Sequence, residues 1–327
     1  VSGAEGVART FRARLWPGVG LSAIRDYGIV ASFVALFLTL TLASDVFLSQ
    51  ANMLNVLDQS AAVGLMAVGG TLVIIAGGFD LSVGAVFAIA GVVAAKAATS
   101  VDPEIAYVLG ISVGLGIGVL NGLLTTIGRI NPLVATLASS IIIRGVALVL
   151  TGGFLVSVTD AEFTSLGQGK VGAIYYSIVI WAIFAGACGF LLSRSAAGRY
   201  IYAAGGNPEA ARLSGIRVGL VRTATYAVSG LSAGIAGVLV TSRVATGQAD
   251  AGTGIELAVI AAIVIGGTSI LGGEGAVWRT VLGVLLLAMI GNGFNLLGVN
   301  PIYQQILQGG IILTAVAVDA WARKSST

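Results

Sequence analysis

The sequence predicts an all-α membrane protein with about ten transmembrane helices. Three observations predict it. Only 9% of the 327 residues are charged while 57% are hydrophobic, and the mean hydropathy is +1.00. A soluble domain of this size could not cover its surface with so little charge. Apolar runs approaching the roughly 20 residues needed to cross a bilayer recur along the chain. Basic residues gather in alternate gaps between those runs, as the positive-inside rule requires.

Taken in order, a basic segment to Tyr27, with Arg9, Arg12, Arg14 and Arg25, precedes a first span at 29–48. This run is long and meets no convincing small-residue cleavage site, so it is expected to stay as a span and not to be removed as a signal. Spans two and three are expected at 60–76 and 83–95, separated by Gly77-Gly78-Phe79-Asp80-Leu81-Ser82. Spans four to six follow at 105–127, 133–150 and 173–192. After a polar stretch, spans seven to ten are expected at 223–240, 257–265, 276–297 and 302–321. The eighth is short and should extend through its Gly-rich ends. With the N-terminus inside, the inner segments hold thirteen Lys and Arg and the outer ones only Lys96, Lys170 and Arg243. Nine or eleven spans would place Arg323-Lys324 outside. Charge therefore supports ten spans in one transmembrane domain, with both termini in the cytoplasm.

The chain also repeats itself. Gly78-Phe79-Asp80-Leu81-Ser82-Val83 matches Gly254-Ile255-Glu256-Leu257-Ala258-Val259, and Asn121-Gly122 with Asn131-Pro132 matches Asn292-Gly293 with Asn300-Pro301. The ten-span count puts Asp80 near the inside and Glu256 near the outside, so spans two to five and seven to ten form an inverted repeat.

The polar stretch from Arg194 to Arg222 separates two hydrophobic blocks and holds five of the seventeen basic residues. At its centre lie the signals of a short helix over 208–214. Asn207 is a good N-cap, Pro208 suits the first helical position, Glu209 faces the positive helix end, and Gly215 can take the left-handed C-terminal conformation. A helix of about two turns is marginal alone, so it is expected to dock on something. The plainer reading is an ordinary cytoplasmic loop containing a helical turn.

Several chemistries are excluded. No phosphate-binding G-x-x-x-x-G-K-[ST] loop occurs, and there is no His, no metal-ligand cluster and no carboxylate pair suited to hydrolysis. The chain is therefore expected to bind no cofactor and to be no enzyme. The single Cys188 permits no internal disulfide. The pI of about 9.2 reflects basic inter-helix loops and does not indicate a nucleic-acid partner. Two charges are left. Asp80 is either an interfacial helix cap, with Ser82 capping the following helix, or a substrate or gating group. Arg144 lies within a span, where an unpaired charge costs about 2.5–3.5 kcal/mol, so it should face the interior with a carboxylate or carbonyls for company. Most of the 48 Gly are read as packing residues.

The segments GGFDLSVGAVFAIAG (77–91), NGLLTTIGRINPLVATL (121–137), RGVALVLTGG (144–153), GGNPEAARLSGI (205–216) and IAAIVIGGTSILGGEGAVWRT (260–280) resemble the permeases of bacterial ribose- and xylose-type ATP-binding-cassette sugar importers. The resemblance covers about 47–321. It implies a type II importer fold in the bacterial inner membrane and a paired permease, most simply a homodimer. Two cytoplasmic ATPase subunits would carry ATP and Mg, and a periplasmic or lipoprotein binding protein would deliver a monosaccharide. Branched-chain amino-acid permeases are related but differ in these motifs. The resemblance maps the ATPase-coupling helix onto Gly205, Gly206, Asn207, Pro208, Glu209, Ala210, Ala211, Arg212, Leu213, Ser214 and Gly215. Asp80, Ser82, Asn121, Arg144, Glu256 and Thr268 are the candidate pathway or gating residues, Glu256 being the better placed for sugar contact. A passive channel or ion-coupled carrier is the alternative, though neither explains a capped, basic cytoplasmic helix. The particular sugar is not written in the sequence, because selectivity in such systems resides largely in the binding protein.

Overall fold

The computed structural model describes residues 21–300 together with 303, 306, 309, 310 and 313, and side chains from Gly28 onward. The expected basic N-terminal segment around Arg9, Arg12 and Arg14, most of the tenth span, and Arg323-Lys324 lie outside the described residues. Within them the chain is helical: α1 Leu21–Ala43, α2 Gln50–Ile75, α3 Val83–Ala97, α4 Pro103–Thr126 and α5 Pro132–Thr151 form the first series. A connecting region holds β1 Val156–Ser157, α6 Ala161–Gln168, β2 Lys170–Val171 and β3 Ile174–Tyr175. The second series is α7 Tyr176–Arg194, α8 Ala196–Gly206, α9 Pro208–Leu213, α10 Val218–Val244, β4 Thr246–Gly247, α11 Ile255–Ile265 and α12 Val277–Leu296.

Six of these helices (α2, α4, α5, α7, α10 and α12) are long and apolar enough to cross a membrane. The centre belongs to two of them: the apolar window of α2 is 78% buried and that of α10 61%, against 22–33% for α4, α5 and α7. The outer helices turn apolar side chains such as Leu137, Ile141, Val149 and Phe190 away from the protein, as lipid-facing or partner-facing helices do. α2 and α10 run antiparallel. Arg222, near the start of α10, donates to the Ala76 carbonyl just past the end of α2, while Arg243, near the end of α10, pairs with Asp58 near the start of α2.

Close packing of α10 on α4 rests on glycine. Gly114 and Gly118, one turn apart on α4, face Gly230 and Gly234 on α10, and a Cβ on Gly118 would meet the Tyr226 carbonyl oxygen at 2.4 Å. Small residues at this spacing let two membrane helices approach to backbone contact, where dispersion forces hold them.

One expectation about helix length is corrected, that span eight extends through its Gly-rich ends. Span three is the 15-residue α3 and span eight the 11-residue α11, which does not extend through its glycines. Gly254 (φ 83°) precedes α11, and Gly267 (φ 78°) turns the chain just after it. At 1.5 Å per residue these helices measure about 22 and 16 Å, short of a hydrocarbon core of about 30 Å. Each is completed by non-helical chain, 76–82 before α3 and 245–254 before α11. The two-residue strands and α6 escape sequence reading because they are too short to show a period. They sit at the α2–α10 end opposite α9, where β1 pairs antiparallel with β4 through Val156–Gly247 and Ser157–Thr246.

Candidate functional site

Non-helical backbone at membrane depth is tolerated only where side chains or water satisfy its polar groups. The segment before α3 meets this condition residue by residue. Gly77, at φ 78°, turns the chain back after α2. The Tyr226 hydroxyl accepts from Phe79 N–H at 3.1 Å and donates to the Phe79 carbonyl at 2.9 Å, and Thr136 Oγ1 accepts from Leu81 N–H. Asp80 then closes the turn. Its Oδ1 accepts from the backbone N–H and hydroxyl of Ser82 at 3.0 and 2.6 Å, and its Oδ2 from the Ser229 hydroxyl at 2.8 Å. Asn121 Nδ2 donates to Ser82 Oγ at 2.8 Å, and the Asn121 carbonyl oxygen is buried without a partner.

The sequence therefore brings Asp80, Ser82 and Asn121 into one buried cluster, with Ser229 added by the fold. Two expectations change. Asp80 is no interfacial cap: it is buried, and Ser229 lies about 17 Å along α10 from its first residue. Nor does the Ser82 side chain cap α3; it sits at the N-cap position in helical conformation and gives its hydroxyl proton to Asp80. The Ser82 oxygen accepts from Asn121 Nδ2 and not from the first N–H groups of α3.

The segment before α11 is satisfied from the opposite direction. Arg144, on α5, donates from both terminal nitrogens to the carbonyls of Ala251 and Gly252 at 3.4 Å. Its company is carbonyls, not a carboxylate. Glu256, in the first turn of α11, points a buried, unpartnered Oε2 toward α3, where a Cβ on Gly84 would meet it at 2.4 Å and the Gly252 carbonyl at 2.8 Å. This corrects the expectation that Asp80 and Glu256 lie near opposite faces. The Glu256 carboxylate reaches the first turn of α3, four residues beyond Asp80, although the neighbouring Gly254 and Leu257 at the start of α11 are exposed. Thr268 joins neither group: it is buried in the α11–α12 connection with its hydroxyl unpartnered, beside Gly275.

The central polar stretch forms α8 and α9. Asn207 Oδ1 accepts from Ala210 N–H at 2.9 Å, Pro208 opens α9, and Gly215 takes φ 84° while its N–H and that of Ile216 close the C-terminal turn on Arg212 and Ala211. Glu209 and Arg212 form an exposed ion pair at 2.6 Å, and that hydrogen bond and charge hold the Glu209 carboxyl below its ordinary value. Only Ala211 of α9 is buried, and Leu213 is 77% exposed. The end of α8, by contrast, is fixed to the membrane helices. Gly273 N–H donates to the Ile75 carbonyl at 2.8 Å, Arg222 bridges the Ala76 and Ala204 carbonyls, and the Tyr202 hydroxyl donates to the Gly275 carbonyl at 2.7 Å. One joint thus ties the α8–α9 elbow to the start of the Asp80 segment and to the α11–α12 connection.

Sequence reading missed Ser229, Tyr226 and the Asp58–Arg243 pair. A lone Ser or Tyr on an apolar helix carries no signal. The charges of Asp58 and Arg243 truncated the expected spans at 60 and 240, although their pairing, with Ser177 also donating to Asp58, lets both helices run on.

Over residues 52–316 the chain matches the family described as branched-chain amino acid transport system / permease component. The chain belongs to this family. The permease is 39% identical over 296 residues to the ribose import permease protein of Escherichia coli K12, covering 89% of this chain and 92% of that one. It is 41% identical over 301 residues to the ribose import permease protein of Bacillus subtilis 168, covering 88% and 91%. It is 37% identical over 293 residues to the D-allose transport system permease protein of Escherichia coli K12, covering 89% of each. No solved structure matches it. Membership makes the permease a multi-pass transport subunit and not an enzyme.

Proposed function

We propose that this permease carries a monosaccharide of the pentose or hexose class across the bacterial inner membrane, driven by ATP hydrolysis on two separate ATPase subunits. Ribose and allose relatives spanning nearly the whole chain support the sugar class. The observation that carries the coupling is α9: a capped helix exposed on all but one residue, presenting Leu213 between charges, on an elbow locked to the membrane helices. An exposed apolar knob on a rigid mount is what a docking partner needs. In this reading α9 inserts into an ATPase subunit, both termini are cytoplasmic, ATP and Mg stay on the partner, and a periplasmic or lipoprotein binding protein delivers sugar at the opposite face. A second permease copy completes the path within the lipid bilayer, and nucleic acid has no part.

Ten spans arranged as an inverted repeat fit the packing. α2 packs on α11 and α12, and its counterpart α10 packs on α3 and α4, as exchange about a two-fold axis demands. α3 and α11 then start within the protein from opposite sides, their positive N-terminal ends turned inward with Asp80 and Glu256 beside them. Neutral sugars are held by acceptors and donors in water-excluded surroundings. Asp80, Ser82 and Asn121 set the first half-helix, Arg144 holds the backbone of the second, Glu256 offers a free acceptor, and Thr268 lies in the connection that the elbow moves. The test is reconstitution with the cognate ATPase. Leu213→Asp should leave the permease inserted and abolish ATPase capture and uptake together. Sugar flux through the permease without any ATPase would overturn the reading in favour of a channel.

A further inference from the structure

A cavity of about 430 Å³ opens at the α9 end of the membrane helices, between the α4–α5 turn and the start of α10. It borders the Asp80 segment and the elbow through Gly77, Gly78, Tyr226 and Arg222, and the function above assigns it no ligand. Its lining includes Arg129, Arg222, Thr125, Thr126, Asn131 and Gly219, with no carboxylate among the described residues. The donors left uncommitted decide what it can hold. Thr125 and Thr126 hydroxyls already donate to the Gly122 carbonyl, and the Tyr226 hydroxyl to Phe79. Arg222 spends two N–H groups on Ala76 and Ala204 and keeps the rest. Arg129 makes no side-chain hydrogen bond or ion pair among the described residues. It holds φ 53°, a left-handed conformation that a Cβ disfavours and that is rare outside Gly and Asn.

The start of α10 adds to this charge. Arg217 provides no side-chain cap for the 27-residue helix, so the Gly219 and Leu220 N–H groups have no intrahelical partner at its positive end. Two guanidinium groups, uncapped N–H groups and no acid make an anion pocket. The rim identifies the anion's carrier. Ile130, 41% exposed, lines the opening, and Ile127, Leu133 and Leu220, adjacent in the chain to lining residues, are 46–76% exposed. A phosphate inside with acyl chains outside matches this surface, and basic pockets between membrane helices bind anionic headgroups.

We infer that the permease binds the phosphate of an anionic phospholipid between α4 and α10, with Arg129 as the main determinant. The full chain, delipidated in neutral detergent, would be titrated with phosphatidylglycerol, phosphatidylcholine and inorganic phosphate, following bound lipid by native mass spectrometry and thermal stabilisation. Phosphatidylglycerol should bind, phosphatidylcholine should not, and Arg129→Gly should weaken phosphatidylglycerol about fivefold. Glycine accepts the left-handed backbone, so that variant removes the charge without straining the turn. Arg199→Gln, an exposed arginine outside the cavity, should change nothing. Stabilisation by inorganic phosphate as strong as by the lipid, and lost in Arg129→Gly, would keep the phosphate site and overturn its lipid source. Equal phosphatidylglycerol binding by the parent chain and Arg129→Gly would overturn the site.

Discussion

Gly205 lies against the Ile75 carbonyl so closely that a Cβ on it would meet that oxygen at 1.8 Å. No side chain of a flexible kind separates them, and both neighbours are backbone. The Ile75 carbonyl is also held by Gly273 N–H, so movement of the α8–α9 elbow displaces the last turn of α2 and the α11–α12 connection together. Gly205→Ala should force the joint apart while leaving the membrane helices packed. The expected result is normal insertion with sugar-stimulated ATP turnover reduced about five- to a hundredfold, the range of an ordinary coupling free energy. Unchanged stimulation would show that force does not pass through this contact.

The exposed Glu209–Arg212 pair gives the second prediction. Glu209→Lys reverses charge at the positive end of α9 and sets two cations side by side, so uptake should fall with insertion intact. The same pair sets a pH dependence. Arg212 holds the folded Glu209 pKa below the unfolded value, so its contribution is complete above the unfolded value of about 4.3 and is lost as pH falls through the lower folded value. Amide exchange at 210–214 should be flat from neutral pH down to about 5, after correction for intrinsic rates, and accelerate only below about 4. Loss of protection near pH 6 would assign the helix to other contacts.

Arg144 gives the third. Its guanidinium serves two carbonyls of non-helical chain, Ala251 and Gly252, the second of which also accepts from Ile255 N–H at 3.1 Å. Arg144→Leu strips both donors and leaves the Ala251 carbonyl the poorer served, at a cost of about 1–3 kcal/mol. Lys170→Leu removes an exposed charge resting on the Tyr175 ring and should cost less than about 1 kcal/mol. Thermal unfolding and uptake measured side by side should rank the two in that order, and equal behaviour would mean that Arg144 is a surface group.

What the sequence revealed and what it hid divide along one physical line. α9 was legible because caps act locally: Asn207, Pro208 and Gly215 each declare a backbone conformation within a few residues. Long helices were legible from hydropathy, except where Asp58 and Arg243 looked like span ends until a partner 185 residues away cancelled them. The matched acid motifs were visible, but their depth was not. Counting charges assigns loops to sides, and it cannot tell that the chain folds back into the protein before α3 and α11. That depth is set by Tyr226, Thr136 and Arg144 satisfying the returning backbone, which is a tertiary property.

The depth itself is open to direct measurement. If Asp80 and Glu256 lay at opposite membrane faces, nothing near one could touch the other. In the structure Glu256 Oε2 faces Gly84, one helical turn past Asp80, so cysteines at 84 and 256 should be within reach of each other. The chain's only thiol, Cys188, is buried between other helices and would be removed by Cys188→Ala. In that background Gly84→Cys with Glu256→Cys should be joined by a short bifunctional thiol reagent. Removing the Glu256 side chain clears the nearest obstruction to a side chain at 84, leaving the Gly252 carbonyl, 2.8 Å from that Cβ, to shift by a few tenths of an ångström. Gly84→Cys paired with a cysteine at exposed Lys170, on the connecting region, is the control and should stay unlinked. Efficient joining at 84 and 256 would support two half-helices starting face to face inside one subunit. Its absence, with both single cysteines reactive to a small permeant reagent, would return the two acids to separate faces and take with it the two-fold relation drawn between α3 and α11.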